Sequence, residues 1–183
     1  MTSPNRPLAA AVWMTGTIAA FTAMAVATRQ INGVRDTFEI LAYRSVVGFV
    51  LVLAGAALVG QLASVRADRL GGHAIRNIFH FTGQSLWFWA ITMIPLVQVF
   101  ALEFISPVYV ILLAPLVLVK RLTSAKLAAA AFGFVGVWIV AQPDFSRIDL
   151  GVLAAIGAAF FFAATALMTK ALTKGEAIVG ILF

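Results

Sequence analysis

Apolar residues fall into six long runs separated by short polar breaks, at about 7–28, 37–62, 74–94, 95–119, 123–142 and 150–172. A helix crossing the ~30 Å hydrocarbon core needs ~20 such residues, and each run meets that length. A further run opens at Ala177 and reaches Phe183, too short to cross. The pattern predicts an all-α integral membrane protein, a multi-span helical bundle. The breaks carry their own punctuation. Arg29 to Asp36 forms a polar turn around Gly33, and Asp36 followed three residues later by Glu39 predicts a capping box on the second helix. Pro95 suits the first positions of the fourth helix, and Thr123 suits the N-cap of the fifth. The first run, behind the flank MTSPNR, is too long for the apolar region of a signal peptide.

Composition supports this class: 62% of residues are hydrophobic and 11% charged, against about 25% charged in soluble domains. The net charge of +6 does not imply nucleic acid, because the cations cluster between apolar runs. Nine of the thirteen Lys and Arg residues, among them Arg66, Arg69, Arg76, Lys120, Arg121 and Lys174, fall in one set of loops. Arg29, Arg35 and Arg147 fall in the other set, and Arg44 lies inside a span. The positive-inside rule therefore places the N-terminus in the cytoplasm and returns the chain there at Lys174. With no cysteine there is neither a disulfide framework nor a thiolate metal site.

The fourth run departs most from a plain anchor. It holds Glu103, an ionisable group that normally faces a bundle interior or watery cavity. Pro107 removes the helical partner of the Glu103 carbonyl, and Pro115 does the same for Ile111. In an unbroken helix Ser106 and Pro107 share a face with Glu103, so carboxylate, hydroxyl and freed carbonyl would gather there. Arg44 lies seven residues into the second span, roughly 10 Å deep. It either snorkels to the headgroups or faces inward. In the third run His80, Gln84 and Trp87 share one helical face. They suit either an interfacial aromatic belt with interhelical hydrogen bonds or a ligand-stacking surface. The fifth run, with Ala128 to Ala131, Gly133 and Gly136, is expected to be a packing helix.

Sliding the chain by 141 residues lays the first run on the sixth. Gly16 meets Gly157, Phe21 meets Phe162, Thr28 meets Thr169, and Arg29 meets Lys170. A repeat of five spans is odd in number, so a second copy enters the membrane inverted, as in many secondary transporters. FEILAYRS at the second span, IPLVQVFALEFISPVYVILLAPLVL at the fourth and KRLTSAKLAAAAFGFVGVWIVAQP at the fifth resemble the EamA-type permeases of the drug/metabolite transporter superfamily. The resemblance implies a ten-span fold of two five-span repeats. Residues 7–143 would be the first repeat and 150–183 the start of the second, so that the chain looks truncated. It further implies a bacterial inner-membrane permease for small metabolites or drugs, importing or exporting amphipathic organic solutes.

Three functional classes compete. A secondary transporter accounts for the repeat, the polar residues within spans and the proline-broken fourth helix. An enzyme would need a convergent catalytic set, and neither HExxH, nor a cysteine nucleophile, nor a carboxylate cluster is present. A half-size subunit with an assembly role and no transport of its own is the third reading. No cofactor or metal is expected, and no Walker-type glycine loop implies an ATPase partner. Expected partners are a small-molecule solute, a coupling proton as candidate, the bilayer, and a second half or copy. Candidate pathway residues are Glu103, Arg44, Ser106, Pro107, Trp87, Gln84 and His80, with Arg44 and Glu103 expected at matching depths as a charge pair.

Overall fold

A computed structural model of the chain describes residues 7–31, 36–60, 69–118, 123–141 and 149–173. These form seven helices: α1 (Pro7–Ile31), α2 (Thr37–Leu58), α3 (Leu70–Met93), α4 (Leu96–Glu103), α5 (Ser106–Leu118), α6 (Ser124–Ala141) and α7 (Leu150–Leu172). The structure is an all-helical bundle, with no strand among the described residues. The segment from Ala177 and the basic residues Arg66, Lys120, Arg121 and Lys174 lie outside the described residues, as does Gly33.

The helix ends follow local chemistry. Asp36 caps α2 by accepting from the Phe38 backbone N–H at 3.2 Å. α2 stops at Leu58, short of the expected Leu62, because Gly60 takes a positive φ of 70° and its N–H bonds back to the Ala57 carbonyl. Asp149 caps α7 through Gly151 at 2.7 Å. The sequence reading makes residues 95–119 one helix; the structure breaks it at Phe104 and Ile105, whose N–H groups take three-residue bonds to Ala101 and Leu102. Pro107 is the cause. It withholds the N–H that the Glu103 carbonyl would accept, and it disfavours helical φ/ψ at Ser106. Pro115 is absorbed inside α5.

Four stretches among the described residues are long and apolar enough to cross a membrane: Ala11–Ile31, Thr37–Leu58, Leu96–Leu118 and Leu150–Leu172. α3, at 24 residues, has the length but carries Arg76, Asn77, His80 and Gln84. It takes an inner place in the bundle, against α7 along its length and against α1, α2 and α4. α4 and α5 lean on α7, and α6 packs on α4 and α5.

α3 and α7 run antiparallel. Gly72, near the start of α3, faces Leu172 at the end of α7, while Gly151 at the start of α7 faces Met93 and Ile94. Lipid tails are as apolar as leucine, so helices in a membrane join through close fit rather than through hydrophobic segregation. Here Ala154, Ala155, Ala158, Ala159 and Ala163 supply that fit and are buried. Arg76 Nε donates to Thr169 Oγ1 at 3.2 Å across the same seam. At the other end of the seam, Arg29 Nη1 donates to the Ile94 carbonyl at 3.0 Å, tying the end of α1 to the end of α3. The expected packing helix, α6, packs on α4 and α5, though not through its glycines. A Cβ added at Gly133 or Gly136 of α6 would meet nothing within 4 Å, so α7 rather than α6 carries the small-residue seam.

Candidate functional site

A cavity of about 190 Å³ opens beside the seam. α3 contributes His80, Gln84, Trp87 and Phe88 to it, at the i, i+4, i+7 and i+8 positions of one face. α1 adds Phe21 and Met24, α2 Arg44, α4 Glu103 and α7 Phe162. Counted at 1.5 Å per residue from the Ile94 end of the bundle, these groups lie roughly 10–20 Å deep. That is near the middle of a ~30 Å core.

Glu103 is held by Trp87, whose Nε1 donates to Oε2 at 3.0 Å. The other carboxylate oxygen makes no hydrogen bond among the described residues. Trp87 is itself fixed: it is 2% exposed, and its ring lies 4.9 Å from that of Phe21, 5.5 Å from Phe88 and 6.5 Å from Phe100. The carboxylate therefore sits where a rigid indole points it. Gln84 Nε2 lies 3.0 Å from His80 Nε2. With that amide nitrogen as donor the imidazole Nε2 accepts, which is the tautomer that carries its proton on Nδ1. That Nδ1 is buried and has no hydrogen-bond partner. The Arg44 guanidinium stands 5.8 Å over the Phe88 ring, in a cation–π arrangement.

The structure thus brings together five of the candidate residues, Glu103, Arg44, Trp87, Gln84 and His80, and leaves two outside. Ser106 and Pro107 do not line the cavity; they open α5, beyond the break at Phe104 and Ile105. The expected charge pair also gives way. Glu103 is bonded to Trp87 and Arg44 stacks on Phe88, with no ion pair between the two. Among the aromatic residues of α4, α5 and the break between them, Phe100 backs Trp87, Tyr109 packs edge-on against Phe160, and Phe104 is 68% exposed. Sequence reasoning left out Phe21, Met24 and Phe162. The 141-residue offset held a pointer, because it superposes Phe21 on Phe162, and both line this cavity.

The profile of the EamA-like transporter family matches residues 8–142, well over half of the chain. The chain belongs to the EamA-like transporter family. It is accordingly an integral membrane protein of a transporter family and not an enzyme. A riboflavin transporter of Vibrio cholerae is 29% identical over 181 residues, covering 96% of this chain and 60% of that protein. A riboflavin transporter of Brucella anthropi is 35% identical over 113 residues, covering 62% of this chain and 40% of that protein. An S-adenosylmethionine uptake transporter of Rickettsia prowazekii is 22% identical over 147 residues, covering 80% and 50% respectively. The chain spans between 40% and 60% of the length of these three relatives. No solved structure matches it significantly.

Proposed function

We propose that the chain contributes the central cavity of a secondary transporter that takes up a small amphipathic metabolite, with riboflavin the first solute to test. The observation that carries this reading is a carboxylate in a cavity walled by five helices near mid-membrane. Glu103 would be costly there without a use, and it is aimed by an indole and sits at the broken end of α4. The names of the riboflavin and S-adenosylmethionine relatives supply the solute class. Glu103 is our candidate carrier of a coupling proton. The fold is two inverted five-span repeats, a reading supported by Phe21 and Phe162 facing one cavity from offset-related helices. The N-terminus faces the cytoplasm of a bacterial inner membrane, in keeping with the charge bias of the loops.

Reconstitution of the full-length protein in liposomes tests the reading. Protein-dependent accumulation of labelled riboflavin is expected, driven by an inward proton gradient and lost in Glu103→Gln. Absence of accumulation of riboflavin and of S-adenosylmethionine, in well-folded protein under either gradient, would sink it. Stable association with another membrane protein in that case would favour the assembly subunit instead.

A further inference from the structure

The cavity's size and lining say more about its occupant than the family does. A 150 Å³ apolar cavity in a protein core holds benzene, whereas sites for drug-sized solutes run roughly 300–1,000 Å³. At about 190 Å³ the part of the cavity that this chain walls has room for a planar ring system. Its accessible walls are also unlike those of a plain apolar pocket. Phe21 and Phe162 offer partly exposed ring surface from α1 and α7. Between them, one edge is polar. Along α3, the Gln84 amide is held by His80 Nε2 and has a second N–H to donate. About 5 Å further along the helix axis, Trp87 holds Glu103, whose second oxygen presents an acceptor.

We propose that this cavity is a ring subsite. It takes the planar head of the solute, a fused nitrogen heteroaromatic ring system with an N–H donor and a C=O or ring-nitrogen acceptor along one edge, and leaves any sugar, polyol or amino-acid tail outside. Phenyl faces tolerate any planar ring. Selection comes from the edge, where Glu103 accepts an N–H and the Gln84 amide donates to a carbonyl or ring nitrogen. The opposite charges of Arg44 and Glu103 suit a head that is neutral overall. The inference rests on the cavity being the solute site of a transporter, and it is tested by binding rather than by transport.

Lumazine, a bicyclic pteridinedione, is titrated into the full-length protein in nanodiscs by calorimetry, beside ribitol and leucine as tail-like and aliphatic probes. Lumazine should bind and quench tryptophan fluorescence, because Trp87 stands in the wall, while ribitol and leucine should not. Gln84→Leu keeps the volume but removes the edge, and should weaken lumazine by about tenfold, the loss of one or two hydrogen bonds. Phe162→Leu should weaken it through lost stacking. Ribitol or leucine binding as tightly as lumazine would overturn the proposal, as would unchanged lumazine affinity in both folded variants. Should neither variant fold, wild-type titration decides alone, and no lumazine signal there ends the proposal. Lumazine binding without transport of any solute would remove the transport reading and leave the subsite standing. Transport of a solute that lumazine fails to inhibit would do the reverse.

Discussion

The α3–α7 seam and the α6 helix use the same small residues to opposite ends. On α3 and α7, an added Cβ at Gly83 would meet Phe161 and Phe162 atoms at 3.1 Å, and one at Gly151 would meet Met93 and Ile94 at 2.7 Å. On α6, Gly133 and Gly136 look onto open space, and Phe132, Phe134 and Trp138 are exposed around them. In water the apolar content of a helix tells which face is buried; in lipid it does not, since the surroundings are equally apolar. What separates the two helices is complementarity to a neighbour. α7 meets α3, whose Arg76, His80 and Gln84 need partners away from lipid, and its glycines and alanines let that backbone come close.

The contrast can be broken most forcefully at Gly151. Its Cβ position is already occupied by Met93 and Ile94 side-chain atoms, so Gly151→Val must push the helices apart. Overpacking of this kind costs about 1–3 kcal/mol. The thermal unfolding midpoint in detergent should fall by about 5 °C or more, and an unchanged midpoint would show that the seam is looser than the distances say.

Next in size is the bond that joins the seam to the cavity. Trp87→Phe keeps an aromatic ring among Phe21, Phe88 and Phe100 but removes the donor to Glu103. Losing that bond leaves the carboxylate unaimed, so solute binding should weaken by about threefold to tenfold, roughly 0.7–1.4 kcal/mol, while the protein still expresses. Trp89→Phe, at a residue 41% exposed, is the control and should change nothing. Equal losses in both variants would mean that ring packing, not the indole N–H, matters at Trp87.

The smallest effect is expected on α6. Gly136→Ala meets no neighbour, and alanine is favoured over glycine inside a helix by about 1 kcal/mol. The midpoint should hold or rise by about 1–3 °C, in the opposite direction to Gly151→Val. A clear loss would reveal a partner for this face.

Much of the helical architecture was legible because apolar length and Gly/Pro punctuation are local properties. Asp36 as a cap needs only its own two neighbours, and Glu103 as a residue facing a cavity needs only the cost of a carboxylate in lipid. What the sequence hid depends on three-dimensional contact. Alanine in α7 and alanine in α6 look alike until one asks what stands opposite. Arg44 and Glu103 share a depth, which suggested a pair, yet depth says nothing about azimuth. An indole N–H and a phenyl face were nearer to hand. Ser106 and Pro107 were assigned to the Glu103 face by helical spacing, and the very proline that prompted the assignment breaks the helix that spacing assumes.

That break has a mechanical corollary. Glu103 rides on a rod of eight residues, about 12 Å long, joined to α5 by a two-residue pivot and to α3 by the single residue Pro95 after the Ile94 cap. The position of the carboxylate is therefore set by what α4 itself touches, α7, α6 and the Trp87 indole, and not by the thirteen residues of α5. The long span is thereby divided into a short piece that carries the acid and a longer one that does not.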